Sequence, residues 1–377
     1  MRRTWLIGLL VISACGDSTT TTTRSLPPAV RSIVDAGRQT AWRTTGIDPW
    51  EVFVCHVPAG AQSPVYAGLP LRRPLKPDAI ATVLDAKVTR YFETMSNGMY
   101  RPQFSAGGEV TIGVNDEPQA CVDKALAQSS DRAHAVIVVA DAEHNSTQPG
   151  GFGNAGGACA VPPCRASATR RSAYVGAADF SPEWGDQPPM DLIEHEIGHA
   201  LGWPHSGYDE SAADPHRSAL DVMSDSAAPR AVHPARRDGP DTLAINRLAA
   251  GWMPATAVAA IPSSGATVTL SPSNGPSGTR LAVIELDGHR FITIELLTAT
   301  GFDDHLPASG IAVHLIAFPL IDGNDAMRIQ TPLVGEPPYD RLLTAGQTLT
   351  THGWTVSVGD GWRATLQPVA DGPTVSG

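Results

Sequence analysis

Residues 191–205 read Asp-Leu-Ile-Glu-His-Glu-Ile-Gly-His-Ala-Leu-Gly-Trp-Pro-His, and this stretch narrows the possible folds more than any other part of the chain. On a helix of about 3.6 residues per turn, His195 and His199 lie one turn apart on one face, so both imidazoles can address a single ion. Ile193, Ile197 and Leu201 form a separate stripe at i, i+4 and i+8, which calls for an apolar layer against it. Glu196 directly follows the first histidine, which turns its carboxylate toward the open side of the ion rather than into its coordination shell. A helix cannot easily present a third histidine to the same tetrahedral centre. Gly202 solves this, because glycine accepts a positive φ, ends the helix and reverses the chain so that His205 can reach back. Three neutral imidazoles with a water make an open, catalytic type of zinc site, whereas structural zinc is usually closed by four ligands rich in cysteine. Zinc lowers the pKa of such a water toward about 7, and a carboxylate placed like Glu196 can take its proton and pass it to a leaving amine.

The spacing H-E-x-x-H-x-x-G-x-x-H, from His195 to His205, resembles that of the metzincin metallopeptidases. That family places a methionine turn beneath its zinc ligands, and Asp221-Val222-Met223-Ser224 supplies a match at Met223, eighteen residues after His205. The resemblance implies an α/β (α+β) metzincin-like domain with a mixed sheet and an active-site helix. It also implies one catalytic Zn²⁺, Glu196 as general base and acid, and a protein or peptide as substrate. An edge strand in that family binds substrate in extended form, and the order of elements puts it here at about Gly156 to Val161. No tyrosine follows Met223 closely, so the switchable tyrosine of some relatives has no match; Tyr208 is the nearest candidate for an oxyanion or substrate contact, beside a plain structural role. Residues 91–98, 243–252 and 301–310 resemble more loosely the gametolysin and immune-inhibitor-A-like secreted peptidases. Cys55-His56-Val57-Pro58 and Pro163-Cys164 match the matrixin cysteine switch poorly.

Along the rest of the chain, helices are expected over 28–40, 77–96 and 121–129, and strands over 50–57, 109–114, 135–140 and 172–178, with an irregular Gly-rich edge strand within 150–163. Alternation of this kind implies a sheet with helices packed on it. After about Thr256 the texture changes to short β-type runs at 267–270, 279–286, 290–297, 310–316, 348–358 and 363–366, separated by Asp-Gly turns, with no helical period between them. An all-β sandwich or small barrel is expected there. The division that follows is a signal peptide over 1–15, a Ser/Thr-rich tether over 16–27, a catalytic domain over 28–254 and a C-terminal β-sandwich-like domain over 255–377.

The N-terminus carries Arg2 and Arg3, an apolar run from Trp5 to Ile12, and small residues before Cys15. The run is far shorter than the ~20 residues of a membrane-spanning helix, so it reads as an export signal. Ile12-Ser13-Ala14-Cys15 resembles a bacterial lipobox, which implies lipid attachment at Cys15 and display from the cell envelope, the outer membrane if the cell has one, with simple secretion as the other outcome. Setting Cys15 aside leaves four of the five cysteines. Two disulfides are expected of them in an oxidising compartment; the short separation favours Cys159–Cys164, which leaves Cys55–Cys121. A formal charge of −11 repels a phosphate backbone, so no nucleic-acid partner is expected. A monomer is expected. Asp322-Gly323-Asn324-Asp325 has the oxygen ligands of a Ca²⁺ loop and equally the composition of a polar β-turn. His216, like the other histidines outside the motif, reads as a surface or core residue. Two rival functions remain open: a non-catalytic, zinc-stabilised surface adhesin, and a zinc amidohydrolase acting on non-peptide amides.

Overall fold

The computed structural model describes residues 26–28, 30–31, 44–66, 74–145, 150–156, 170–181, 184–185, 187–207, 216–288, 290–317, 329–333 and 342–369. Cys15 and all of the tether but its last two residues, Tyr208, Cys159 and Cys164, the turn 322–325 and most of the expected first helix lie outside the described residues.

The chain is a mixed α/β structure. Its first half runs β1 (Gly46–His56), α1 (Pro77–Met95), β2 (Tyr100–Thr111), α2 (Gln119–Gln128), β3 (Ala135–Ala140), β4 (Gly151–Asn154), β5 (Arg171–Val175) and α3 (Asp191–Ala200). The sheet order is β2-β1-β3-β5-β4; the first four strands are parallel, and β4 runs antiparallel at the edge. Side chains on a strand alternate between faces. Trp50, Val52 and Val54 of β1 therefore join Ile137, Val139, α1 and α3 in one core, while Phe53, Cys55, Val136 and Val138 face α2 in another. Burial on both faces explains why β3 is apolar throughout, Ala-Val-Ile-Val-Val-Ala. On the α2 face a disulfide joins Cys55 to Cys121.

Strand β2 begins nine residues before the expected 109–114, at Tyr100. Pro102 and Gly107-Gly108 disguise it, yet β2 is an edge strand, where proline is tolerated. A Cβ on Gly107 would overlap the Phe53 ring, and the register slips at Val52/Phe53 to accommodate that ring.

After α3 come two short helices, α4 (Ala228–Val232) and α5 (Ala244–Ala249). The strands that follow are β6 (Val258–Ala260), β7 (Ala266–Thr269), β8 (Leu281–Glu285), β9 (Arg290–Leu297), β10 (Gly310–Ala317), β11 (Ile329–Pro332), β12 (Thr348–Thr351), β13 (Trp354–Gly359) and β14 (Arg363–Pro368). They form two sheets, β11-β10-β9-β8-β6 and β12-β13-β14-β7. The run expected over 348–358 is a hairpin, reversed at His352-Gly353, both with positive φ. Ile284, Ile292, Ile294 and Val313 of the first sheet share a core with Trp354, Val356 and Leu366 of the second. The other face of the first sheet is also covered: Leu281, Val283, Phe291 and Ile316 pack with Leu243, Ile245 and Leu248 of the segment containing α5.

Candidate metal centre

Helix α3 is buried almost throughout. Ile193, Ile197 and Leu201 belong to the core it shares with the sheet, as their spacing requires. The helix ends in a Schellman turn: Gly202 has φ 84°, its N–H donates to His199 O (2.9 Å), and Trp203 N–H donates to Gly198 O (3.0 Å). The same turn delivers the Trp203 carbonyl to His199 Nδ1 at 2.8 Å.

The three imidazoles converge. Nε2 of His195 lies 3.1 Å from that of His199 and 3.2 Å from that of His205, and the His199–His205 separation is 3.0 Å. Nδ1 of His195 donates to Val222 O at 2.6 Å. Backbone carbonyls only accept, so His195 and His199 each carry their proton on Nδ1 and turn a bare Nε2 lone pair inward. Burial lowers the pKa of all three rings, His205 to about 3, which keeps them neutral. Lone pairs facing one another at this range repel unless a cation lies among them. Zinc–nitrogen bonds of 2.0–2.1 Å give a tetrahedral edge of about 3.3 Å, close to the observed separations. The cluster can thus hold a metal ion, and it is the only such group among the described residues.

Glu196 sits beside it, 4% exposed, and its Oε2 has no hydrogen-bond partner among the described residues. Burial pushes its carboxyl up to about 8. Strand β4 crosses next to it. A Cβ on Gly153 would overlap the Glu196 carbonyl oxygen, and one on Gly151 would stand 2.8 Å from Glu196 Oε1, so only glycine permits this approach. The observed edge strand lies within the expected 150–163, while the substrate-binding stretch expected at Gly156–Val161 lies outside the described residues except for Gly156. Gly176 N–H donates to Gly150 O, which sets the alternation of hydrogen-bonded pairs along β4. Gly151 and Gly153 consequently turn their N–H and C=O groups away from β5, toward the side of β4 on which no strand pairs among the described residues.

Met223 lies under the helix, fully buried. A Cβ on Gly198 would overlap its Sδ and stand 3.0 Å from Trp203 Cε3. The turn that holds it is tied down by Asp221, whose Oδ1 accepts from Met223 N (3.2 Å) and Thr242 Oγ1 (2.9 Å) and whose Oδ2 accepts from Asn246 Nδ2 (3.2 Å). Two further residues belong to the site that no motif marked. Glu194 is completely buried and accepts from Gly239 N at 2.8 Å on the side of α3 away from the histidines. His216 brings its ring centroid to 4.7 Å from that of His205, with Nδ1 3.2 Å from Ser224 O. Its distance from the motif along the chain hid it; only the turn that returns residues 216–224 beneath α3 brings it in.

A scan against protein-family models returns no match for the chain, and a search of curated proteins returns none either.

Proposed function

We propose that the chain is a zinc-dependent endopeptidase of the metzincin type, with His195, His199 and His205 as ligands, Glu196 as general base and acid, and a β-sandwich following the catalytic part. The observation that carries this reading is the convergence of three imidazoles, two of them with their protons turned outward, beside a buried carboxylate with an unpartnered oxygen. A bound zinc ion would supply a Lewis acid that acidifies water and polarises a carbonyl. Glu196 would receive the water's proton on its unpartnered Oε2 and release it to the leaving amine. The outward N–H and C=O groups of Gly151 and Gly153 would align an extended peptide as an added strand along β4. A main chain recognised this way favours peptides over other amides, which separates the reading from a general amidohydrolase. The Cys55–Cys121 disulfide fits an oxidising compartment and therefore export; lipid attachment at Cys15 rests on the sequence alone. No helix among the described residues is long and apolar enough to cross a membrane.

Glu196→Gln should retain stoichiometric zinc while casein hydrolysis falls by at least about 100-fold, the lower range for removing a general acid–base. Undiminished cleavage by that variant would sink the assignment, and a wild-type chain that binds zinc but cleaves no peptide would favour the zinc-stabilised adhesin.

A further inference from the structure

The loop Gly301–Leu306 leaves β9 and lies against the first half of the chain, residue after residue. Phe302 packs against Tyr91 of α1, ring centroids 4.6 Å apart and tilted by 56°, and lies under the Arg236 guanidinium. Both carboxylate oxygens of Asp304 accept from Arg236 Nη1, each at 2.9 Å. Leu306 packs with Leu220. Between these, two buried side chains reach main-chain groups. Asp303 Oδ1 accepts from Asp241 N–H at 2.9 Å, and His305 Nε2 donates to Ala219 O at 2.7 Å.

Those two landing points flank the methionine turn. Asp241 O accepts from Val222 N–H at 3.0 Å, and Val222 O accepts the Nδ1 proton of His195. A continuous path therefore runs from the Asp303 carboxylate through the Asp241 and Val222 main chain to a metal-ligating imidazole. His305 holds the other end of the same segment at Ala219. The direction of the Val222 carbonyl sets the tilt of the His195 ring and, with it, where its Nε2 lone pair points.

We infer that this loop is a positioning element of the metal centre, with Asp303 and His305 as positioning residues that fix the Val222 carbonyl and thereby His195. The inference rests on the reading of His195, His199 and His205 as a zinc site. It assigns part of the metal centre's outer support to the β-rich half of the chain. Phe302 and Asp304, which hold α1 and Arg236, anchor the loop without touching the path to His195.

The test measures zinc dissociation constants by chelator competition, the visible spectrum of the Co²⁺-substituted protein, and thermal unfolding, all on the full chain. Asp303→Ala should weaken zinc binding by about 10-fold or more, the range for loss of an outer-shell partner, and shift the cobalt bands. Asp303→Asn, which keeps an acceptor oxygen for Asp241 N–H, should restore affinity to within about twofold of wild type, well short of that outer-shell loss. Should Asp303→Ala fail to fold, His305→Ala carries the same expectation with a smaller, severalfold loss. Phe302→Ala should lower the unfolding temperature and leave zinc affinity unchanged. Lowered stability in Asp303→Ala and His305→Ala with zinc affinity and cobalt bands like wild type would overturn the inference while leaving the zinc centre standing. A wild-type chain that binds no zinc would overturn both.

Discussion

Gly198 and Met223 offer the most direct test of how α3 is seated. Exchanging Gly198 for alanine has two opposed effects. Alanine is better than glycine in a helix interior by about 1 kcal/mol. The new methyl, however, falls on Met223 Sδ and close to Trp203, both of them buried. Overpacking of this kind costs about 1–3 kcal/mol, so Gly198→Ala should be destabilising by up to about 2 kcal/mol. Met223→Ala empties a fully buried site and should cost about 2–5 kcal/mol. In the double variant the clash is gone, the methyl fills part of the void and the propensity gain is realised. Its destabilisation should fall short of the sum of the singles by at least about 1 kcal/mol. Urea unfolding of all four proteins in the metal-free state measures the cycle, since zinc bound only by the native state would add a term that changes with each variant's affinity. Additivity within about 0.5 kcal/mol would show that the methionine does not lie against the helix at Gly198, and the seating described here would be wrong.

Two further outcomes follow from buried groups away from the metal. Burial pushes Glu295 up to about 8 from its ordinary 4.5, so the native chain holds a proton that the unfolded chain has lost, and stability on this account falls as pH rises between those values. Glu295→Gln should therefore grow more stable relative to wild type from pH 5 to pH 8 in urea unfolding; a difference that does not change with pH would refute this. The Cys55–Cys121 disulfide spans 66 residues, so its removal by the double alanine variant should cost about 4 kcal/mol by loop entropy, and a loss under 1 kcal/mol would place the tie between segments already held together when unfolded.

The histidine cluster was legible because each member of such a cluster needs a particular side chain at a particular spacing. His195, His199, Gly202 and His205 could be placed on a helix and its terminating turn from residue identities alone, and the Ile193, Ile197 and Leu201 stripe fell where the period puts it. The strands of the sheet were legible where they are apolar on both faces, as in β3, and hidden where geometry demanded glycine. In β4 every second residue is glycine because the helix backbone and Glu196 occupy the space a Cβ would need. Residues chosen for lack of bulk leave no hydrophobic period to read, so the sequence indicates only an irregular Gly-rich strand somewhere within 150–163, a span that contains β4. The groups that orient the histidines were illegible for a different reason. Val222 O and Trp203 O are main-chain atoms, supplied equally by any residue, and nothing in their identity records the role.

The helix itself shows why so much of the chain is recruited to it. At ten residues, without a side-chain cap at its N-terminus, it is too short to be stable alone. It also carries Glu194, His195 and Glu196 into nearly complete burial, where each polar group costs unless it is paired. Two of the partners are main-chain groups from sequence-distant segments, Gly239 N for Glu194 and Val222 O for His195. Those segments are held in turn by further side chains, Asp221 and Thr242 before Pro254 and Asp303 and His305 after it. The change of texture near Pro254 marks a change of secondary structure, but Leu243 and Leu248 before it share a buried core with Leu281 and Phe291 after it. A truncation at that point would strip the apolar cover from α5 together with two hydrogen bonds that brace the methionine turn. The β-rich part therefore contributes to the seating of α3, whatever surface it also offers to other molecules.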